Sequence, residues 1–229
     1  MTFYCTRCSA SSEAQAAFCQ ACGSFDYYQP RVMVLRPDAR RVGMTVTSAR
    51  DLAAAALEGY EVPFLGRLPV GERTVATVYG PPGSGKSTLL LQLGDALARD
   101  GARVLYASVE EGLSGTLREK LQRLEIRREG LAICGRVLVG DVLAYQRSHG
   151  LEWFLLDSYS ASGWNVPDLT ALESAGVSIA YTLHVTKDGM PGGAMALTHG
   201  ADVVVSVEAG KWERTKHRFG ESAGGGDLW

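Results

Sequence analysis

The chain has 229 residues, of which 46% are hydrophobic and 21% are charged, which is typical of a globular protein and excludes a mainly disordered chain. It contains no apolar run of the ~18 residues that a membrane-spanning helix needs and no secretory signal at its start, so we expect a cytoplasmic protein with no membrane partner. The formal net charge of −2 excludes a uniformly basic nucleic-acid-binding surface but allows a local basic groove.

Four of the five cysteines lie near the start of the chain. They form two C-x2-C pairs, Cys5 with Cys8 and Cys19 with Cys22, and two such pairs supply the four thiolates of a tetrahedral Zn²⁺ site. With four protein ligands the site has no open position, so the zinc would be structural. The alternative, two disulfides in a secreted domain, is disfavoured by the missing signal. We predict a zinc-binding module over residues 1–29.

Residues 30–58 are predicted to be a linker followed by a helix. Pro30 and Pro37 interrupt regular structure, and Ser48 is a candidate cap for a helix over residues 49–58. Several arginines make the linker locally basic. It is either a solvated tether or a patch that meets DNA phosphates or a neighbouring subunit.

A phosphate-binding motif, G-x-x-x-x-G-K-[ST], begins at Gly80. A predicted buried strand over residues 74–79 precedes it and a helical pattern over residues 89–99 follows it, which is the context that the motif requires. We expect Lys86 to reach the β- and γ-phosphates of a bound nucleotide and Ser87 to bind Mg²⁺. The predicted nucleotide-binding residues of this loop are Gly80, Pro81, Pro82, Gly83, Ser84, Gly85, Lys86, Ser87 and Thr88.

Carboxylates follow the next two predicted strands. Glu110 and Glu111 come after a strand over residues 103–108, and Asp157 comes after one over residues 153–156. Asp157 has the Walker B position and is predicted to hold Mg²⁺; the alternative is a helix N-cap. Glu110 is our candidate for orienting the attacking water, although Glu111 leaves that choice open and the two could instead form a surface pair in a loop.

Two further predicted strands, over residues 177–183 and 202–207, complete an alternation of strands and helices. This alternation predicts an α/β fold with a mostly parallel central sheet. His184 lies at the carboxyl edge of the sheet, where ligands bind, and is either a histidine at the edge of the core or a sensor of the γ-phosphate. One predicted helix carries basic residues that we expect to form a solvated face. They are Arg118, Lys120, Arg123, Arg127 and Arg128.

In this order, the motifs resemble those of the RadA (Sms) branch of the RecA/DnaB-like ATPases, and the resemblance covers nearly the whole chain. The matching segments are residues 5–22, 87–92, 108–111, 156–158, 184–189, 197–202 and 216–220.

The resemblance implies a RecA-like ATPase domain over residues 59–229 that assembles into a hexameric ring or a short filament, with ATP at subunit boundaries. It also implies binding of single-stranded or branched DNA, with a recombinase or another protein as partner of the zinc module. Lys216 and Arg218 would then act in trans on the γ-phosphate bound by the neighbouring subunit. The alternative for this pair is an exposed basic hairpin.

The chain departs from the family pattern in several places. Val109 stands where the family has glycine, and His217 where it has asparagine. The segment between Asp157 and His184, which would include a DNA-contacting loop, is shorter than in the family. A glycine-rich loop over residues 188–194 is a candidate second DNA loop. The sequence ends soon after Gly220, where the family continues into a Lon-protease-like domain, so we expect that domain to be missing.

These observations predict an ATP-hydrolysing protein that moves along or remodels DNA in recombination or repair. The alternative is an ATP-gated oligomeric scaffold that recruits a partner through its zinc module and depends little on DNA. A third candidate, a small-molecule P-loop kinase, is disfavoured by the zinc module and by Lys216 and Arg218.

Overall fold

The computed structural model describes residues 58–185, 195–220 and 224–229, together with the backbone of three two-residue strands nearer the start of the chain. The chain divides into two compact units, Met1–Val42 and Gly43–Trp229. In the first unit, β1 (Phe3–Tyr4) pairs in antiparallel fashion with β2 (Ser11–Ser12) and with β3 (Gln29–Pro30).

Several predictions fall outside the described residues. They concern the zinc ligands Cys5, Cys8, Cys19 and Cys22, the predicted helix over residues 49–58 apart from its last residue, and the glycine-rich loop over residues 188–194. The zinc module and the second DNA loop therefore stay predictions.

The second unit contains ten strands and six helices within the described ranges. In chain order they are β4 (Gly59–Val62), β5 (Gly66–Pro69), β6 (Val75–Gly80), α1 (Lys86–Arg99), β7 (Val104–Ser108), α2 (Gly115–Arg123), β8 (Leu131–Cys134), α3 (Val139–His149), β9 (Trp153–Asp157), α4 (Tyr159–Ser162), α5 (Val166–Ser174), β10 (Ser178–His184), α6 (Met195–Gly200), β11 (Val203–Glu208), β12 (Lys211–His217) and β13 (Gly225–Asp227).

One eight-stranded sheet organises this unit, in the order β13-β12-β11-β6-β10-β9-β7-β8. The six strands from β11 to β8 in this order are parallel to one another, whereas β12 is antiparallel to β11 and β13 is antiparallel to β12. The predicted α/β fold class with a mostly parallel central sheet is confirmed. Every residue of β7 and β9 is buried, which explains why these strands read as continuous apolar runs in the sequence.

Hydrophobic clusters cover both faces of the sheet. On one face, α1 packs with residues of the β4–β5 hairpin, and on the other α5 packs against β9 and β10. The five leucines of α1 belong to the first cluster. Leu97 is 4% exposed, and the other four are 0% exposed, namely Leu89, Leu90, Leu91 and Leu93. The helix is therefore enclosed by the sheet on one side and by the hairpin on the other.

The strand order brings the predicted site residues to one edge. The register pairs Ser108 with Asp157 and His184 with Gly80, so the carboxyl ends of β6, β7, β9 and β10 meet there. None of the helices in the described part of the chain is long and apolar enough to cross a membrane.

Candidate nucleotide-binding site

The loop between β6 and α1 folds tightly at two glycines. A Cβ at Gly80 would lie 2.0 Å from the carbonyl oxygen of Val207, so only glycine fits there. Gly85 has a φ of 111° and is the residue before α1, in a conformation that glycine adopts readily. The unpaired amides of the first turn of α1 point out of the helix end, which attracts anions.

Lys86 is folded onto its own loop. Its Nζ donates hydrogen bonds to the carbonyl oxygens of Gly80 (2.9 Å) and Pro81 (2.7 Å), and the residue is only 6% exposed. Burial lowers the pKa of Lys86, although the negative charges of Asp157 and Glu110 act in the opposite direction. An ammonium group held only by neutral carbonyls is ready to exchange them for phosphate oxygens, which form stronger charge-assisted bonds.

Asp157 is buried and held by two neighbouring strands. Its Oδ2 accepts a hydrogen bond from the hydroxyl of Tyr106 (2.6 Å), and its Oδ1 accepts one from the hydroxyl of Thr182 (2.8 Å). Burial, together with the charge of Asp157, raises the pKa of Tyr106 well above its usual value, so this hydroxyl stays a donor. The N-cap of α4 is Ser158, whose Oγ accepts from the Ala161 amide (3.3 Å). The N-cap alternative for Asp157 is therefore wrong.

The adjacent residues Glu110 and Glu111 have different surroundings. The Oε2 of Glu110 lies 3.2 Å from Nε2 of His184 and accepts a 3.4 Å hydrogen bond from the Ser158 hydroxyl. Glu111 forms an ion pair with Lys120 of α2. Glu110 therefore faces the ends of β9 and β10, whereas Glu111 is bound to the helix that follows β7.

These groups line one cavity of about 440 Å³, a size common for small-molecule sites. The lining residues are Pro82, Gly83, Gly85, Lys86, Ser87, Thr88, Glu110, Glu111, Lys120, Arg123, Asp157, His184 and Trp229. The predicted residues Gly80 and Pro81 lie behind it and bind Lys86. The predicted residue Ser84 is buried, and its carbonyl oxygen accepts a hydrogen bond from the amide of Gly210 (3.1 Å).

The sequence interpretation missed three of the lining residues. Lys120 and Arg123 were assigned to a solvated helix face. They are three residues apart on α2, the helix that follows Glu111, so this spacing could have indicated that both lie on the same side of the helix. No local pattern pointed to Trp229, because it reaches the site only through the pairing of β13 with β12.

Lys216 and Arg218 lie outside the cavity of their own chain. Since β12 is antiparallel, its final residues pair with the start of β11, at the opposite edge of the sheet from the phosphate loop. The Nζ of Lys216 donates to carbonyl oxygens at the end of α6, and Arg218 forms a 2.8 Å ion pair with Asp202. Burial and the nearby Arg218 lower the pKa of Lys216. The pair therefore does not line the cavity of its own chain, and its action on a neighbouring subunit stays a prediction.

The fold and the site define a class: this is an α/β protein with a P-loop and Walker-type carboxylates at the carboxyl edge of its sheet.

No protein-family model matches the chain. It is similar to the DNA repair protein RadA of Campylobacter jejuni, with 26% identity over 95% of this chain and 56% of the relative, and to that of Brucella abortus, with 26% identity over 90% and 51%.

The RadA of Treponema pallidum is 31% identical over 65% of this chain and 36% of its own length. The resemblance to RadA proteins that the motifs predicted is therefore confirmed. The chain spans about half the length of the curated relatives that it matches over most of its own length. Among solved structures, the flagellar accessory protein FlaH from Methanocaldococcus jannaschii aligns with a TM-score of 0.48 and 16% identity, over 64% of this chain and 79% of FlaH.

Proposed function

We propose that the protein is a Mg²⁺-dependent ATPase that acts on DNA in recombination or repair, with ATP bound where two subunits meet. The observation that carries this proposal is the convergence of Lys86, Asp157 and Glu110 on one cavity at the end of the phosphate loop. The relatives named DNA repair proteins support the choice of DNA as partner.

The residues of the cavity suit the hydrolysis of a triphosphate. The loop amides and Lys86 would bind its phosphate oxygens. The hydroxyl of Ser87 and the carboxylate of Asp157 are hard oxygen ligands of the kind that Mg²⁺ prefers, and when bound the ion neutralises charge on the phosphates. Glu110 would orient a water and accept its proton as the oxygen attacks the γ-phosphorus and the bond to the β-phosphate oxygen breaks. His184 would report the state of the γ-phosphate through its contact with Glu110.

The proposal includes an oligomer and a zinc module. Lys216 and Arg218 would stabilise the charge on the neighbour's γ-phosphate, so that hydrolysis depends on assembly into a hexamer or a filament. Cys5, Cys8, Cys19 and Cys22 would hold a structural zinc, and this module would contact a protein partner such as a recombinase.

ATP turnover with and without single-stranded DNA tests the proposed function. At low salt, where contacts to DNA phosphates are strongest, we expect DNA to raise the rate and to retain the protein in a pull-down. Branched DNA in a parallel assay would identify the preferred form. Turnover that is unchanged by any DNA, together with nucleotide-dependent oligomers, would instead favour an ATP-gated scaffold.

The action of Lys216 in trans can be tested by mixing two inactive variants. The Lys216→Ala variant keeps an intact phosphate loop, and the Lys86→Ala variant keeps Lys216 and Arg218. In a random 1:1 mixture, about one interface in four therefore pairs an intact phosphate loop with an intact Lys216 from the neighbouring subunit. We expect each variant alone to be nearly inactive and the mixture to recover turnover. The control is Lys211→Ala, which removes an exposed lysine of the same strand. Full activity of Lys216→Ala alone would contradict the trans role.

Tyr106 is expected to act as a positioning residue for the carboxylate of Asp157. In Tyr106→Phe the Oδ2 of Asp157 loses its donor, and loss of such a supporting bond typically costs roughly 10- to 100-fold in metal affinity. We expect the Mg²⁺ concentration for half-maximal turnover to rise by about that factor, and excess Mg²⁺ to restore the rate. Tyr181→Phe is the matched control, since its hydroxyl donates to the carbonyl of Leu197 (3.3 Å), away from the cavity. An unchanged Mg²⁺ dependence in Tyr106→Phe would refute this role.

A further inference from the structure

Trp229 combines high exposure with a fixed position. Its side chain is 73% exposed although it lines the cavity beside the phosphate loop. The preceding residue, Leu228, is 7% exposed, and its amide donates to the carbonyl oxygen of Gly210 (2.8 Å). The side-chain amide of Gln92, on α1, donates to the carbonyl oxygen of Leu228 (3.4 Å). The backbone next to the indole is therefore anchored to the core, and the indole itself is left largely exposed.

The indole rests on two glycines. A Cβ at Gly85 would lie 2.9 Å from an indole carbon, and one at Gly210 would lie 2.5 Å from another. Gly85 belongs to the phosphate loop, and Gly210 to the turn between β11 and β12. The absence of side chains at both positions lets the ring lie close to the backbone, while most of the residue stays exposed.

The strand order separates Trp229 from the groups proposed for hydrolysis. Three strands lie on one side of β6, namely β10, β9 and β7. Strand β10 ends at His184, β9 ends at Asp157, and Glu110 follows the end of β7. The turn that supports Trp229 follows β11, on the other side of β6. A triphosphate that lies along the loop with its γ-phosphate toward Glu110 would thus have its opposite end, which carries the ribose and base, toward the indole.

We propose that the indole of Trp229 is the platform on which the base of the bound nucleotide stacks. The inference rests on the proposed function, since it requires a nucleotide in this cavity. Stacking explains why a large apolar ring is held in place yet left open to solvent, because every base presents a π-face to an aromatic side chain. Trp229 then binds the base, and the loop and Lys86 bind the phosphates.

The test compares ATP with inorganic tripolyphosphate, which has the phosphates and lacks the base. Dissociation constants of both are measured for the wild type, Trp229→Ala, Trp229→Phe and the control Leu138→Ala, which truncates another exposed apolar residue (69% exposed) outside the cavity lining. We expect Trp229→Ala to weaken ATP binding by roughly 5- to 150-fold, the range that base stacking on an aromatic ring covers, and to leave tripolyphosphate binding unchanged. Trp229→Phe should keep most of the affinity, and Leu138→Ala all of it.

Tryptophan fluorescence gives a second readout that needs no truncated side chain. ATP should quench the emission of the wild type, tripolyphosphate should not, and the quenching should vanish in Trp229→Phe. Equal ATP affinity in the wild type and Trp229→Ala would overturn the stacking role while leaving the proposed function intact. Equal weakening of ATP and tripolyphosphate would also overturn it, because Trp229 would then only shape the loop. A wild type that binds neither compound would refute the proposed function itself, and the inference with it.

Discussion

Replacing Lys86 with alanine is expected to abolish ATP turnover and to weaken ATP binding by roughly 30-fold or more, which is the effect of removing one partner of a buried, hydrogen-bonded charge pair. Lys86 is 6% exposed, and within the described part of the chain its ammonium group donates to carbonyl oxygens of its own loop, so it can transfer to a phosphate. Calorimetric titration with ATP and a steady-state hydrolysis assay measure the two effects. Binding within a few-fold of the wild type would contradict the predicted role.

The stability of the ligand-free variant separates lost binding from lost folding. Folding lowers the pKa of Lys86 and so disfavours its charged form, which means that the buried charge costs stability at neutral pH. This cost begins to fall as the pH passes the lowered value and is gone above the ordinary pKa of lysine. Lys86→Ala removes the cost together with two hydrogen bonds. We therefore expect the melting temperature without nucleotide to stay within about 4 °C of the wild type. Arg99→Ala, at the exposed far end of the same helix, should change neither binding nor turnover.

Replacing Glu110 with glutamine is expected to lower kcat by roughly 100-fold or more while ATP affinity changes little. The amide keeps the size of the side chain but cannot accept the proton of the attacking water, and a positioned general base contributes about 10²- to 10⁴-fold. Glu110 is suited to this role because its Oε2 is within hydrogen-bond distance of both His184 and Ser158. Rapid-quench kinetics of a single turnover would assign the loss to the chemical step.

Glu111→Gln is the matched control for this experiment. Its carboxylate is paired with Lys120, so the amide should weaken that ion pair and leave the chemical step nearly intact. If Glu111→Gln blocks hydrolysis and Glu110→Gln does not, the assignment of the two residues is reversed.

Local patterns in the sequence were enough to predict the core of the site. The phosphate loop has a fixed spacing, and the strands around it are buried on both faces, so they read as short apolar runs. The predicted strand over residues 74–79 is observed as Val75–Gly80, a shift of one residue. The position of Asp157 at the end of β9 follows from the same reasoning, because parallel strands place their carboxyl ends at one edge.

The remaining features depend on long-range pairing that no short motif contains. Trp229 reaches the cavity through two antiparallel pairings, of β12 with β11 and of β13 with β12. Lys216 lies near the amino ends of the parallel strands, away from the phosphate loop, because β12 is antiparallel to β11. The choice between Glu110 and Glu111 likewise could not be made locally, since it depends on Lys120, nine positions further along the chain. Motifs therefore identified the candidate residues, and only the strand order indicated which of them share one cavity.

In the proposed ATPase, the enclosure of α1 would constrain how the products of hydrolysis leave the cavity. Leu89, Leu90, Leu91 and Leu93 are all 0% exposed, so the helix cannot fray from its first turn without opening the whole domain, and such an opening costs close to the global unfolding free energy. The floor of the site is therefore stiff. In the proposed ATPase, we therefore expect the side chains at the rim, and not the helix, to set the timing of product release.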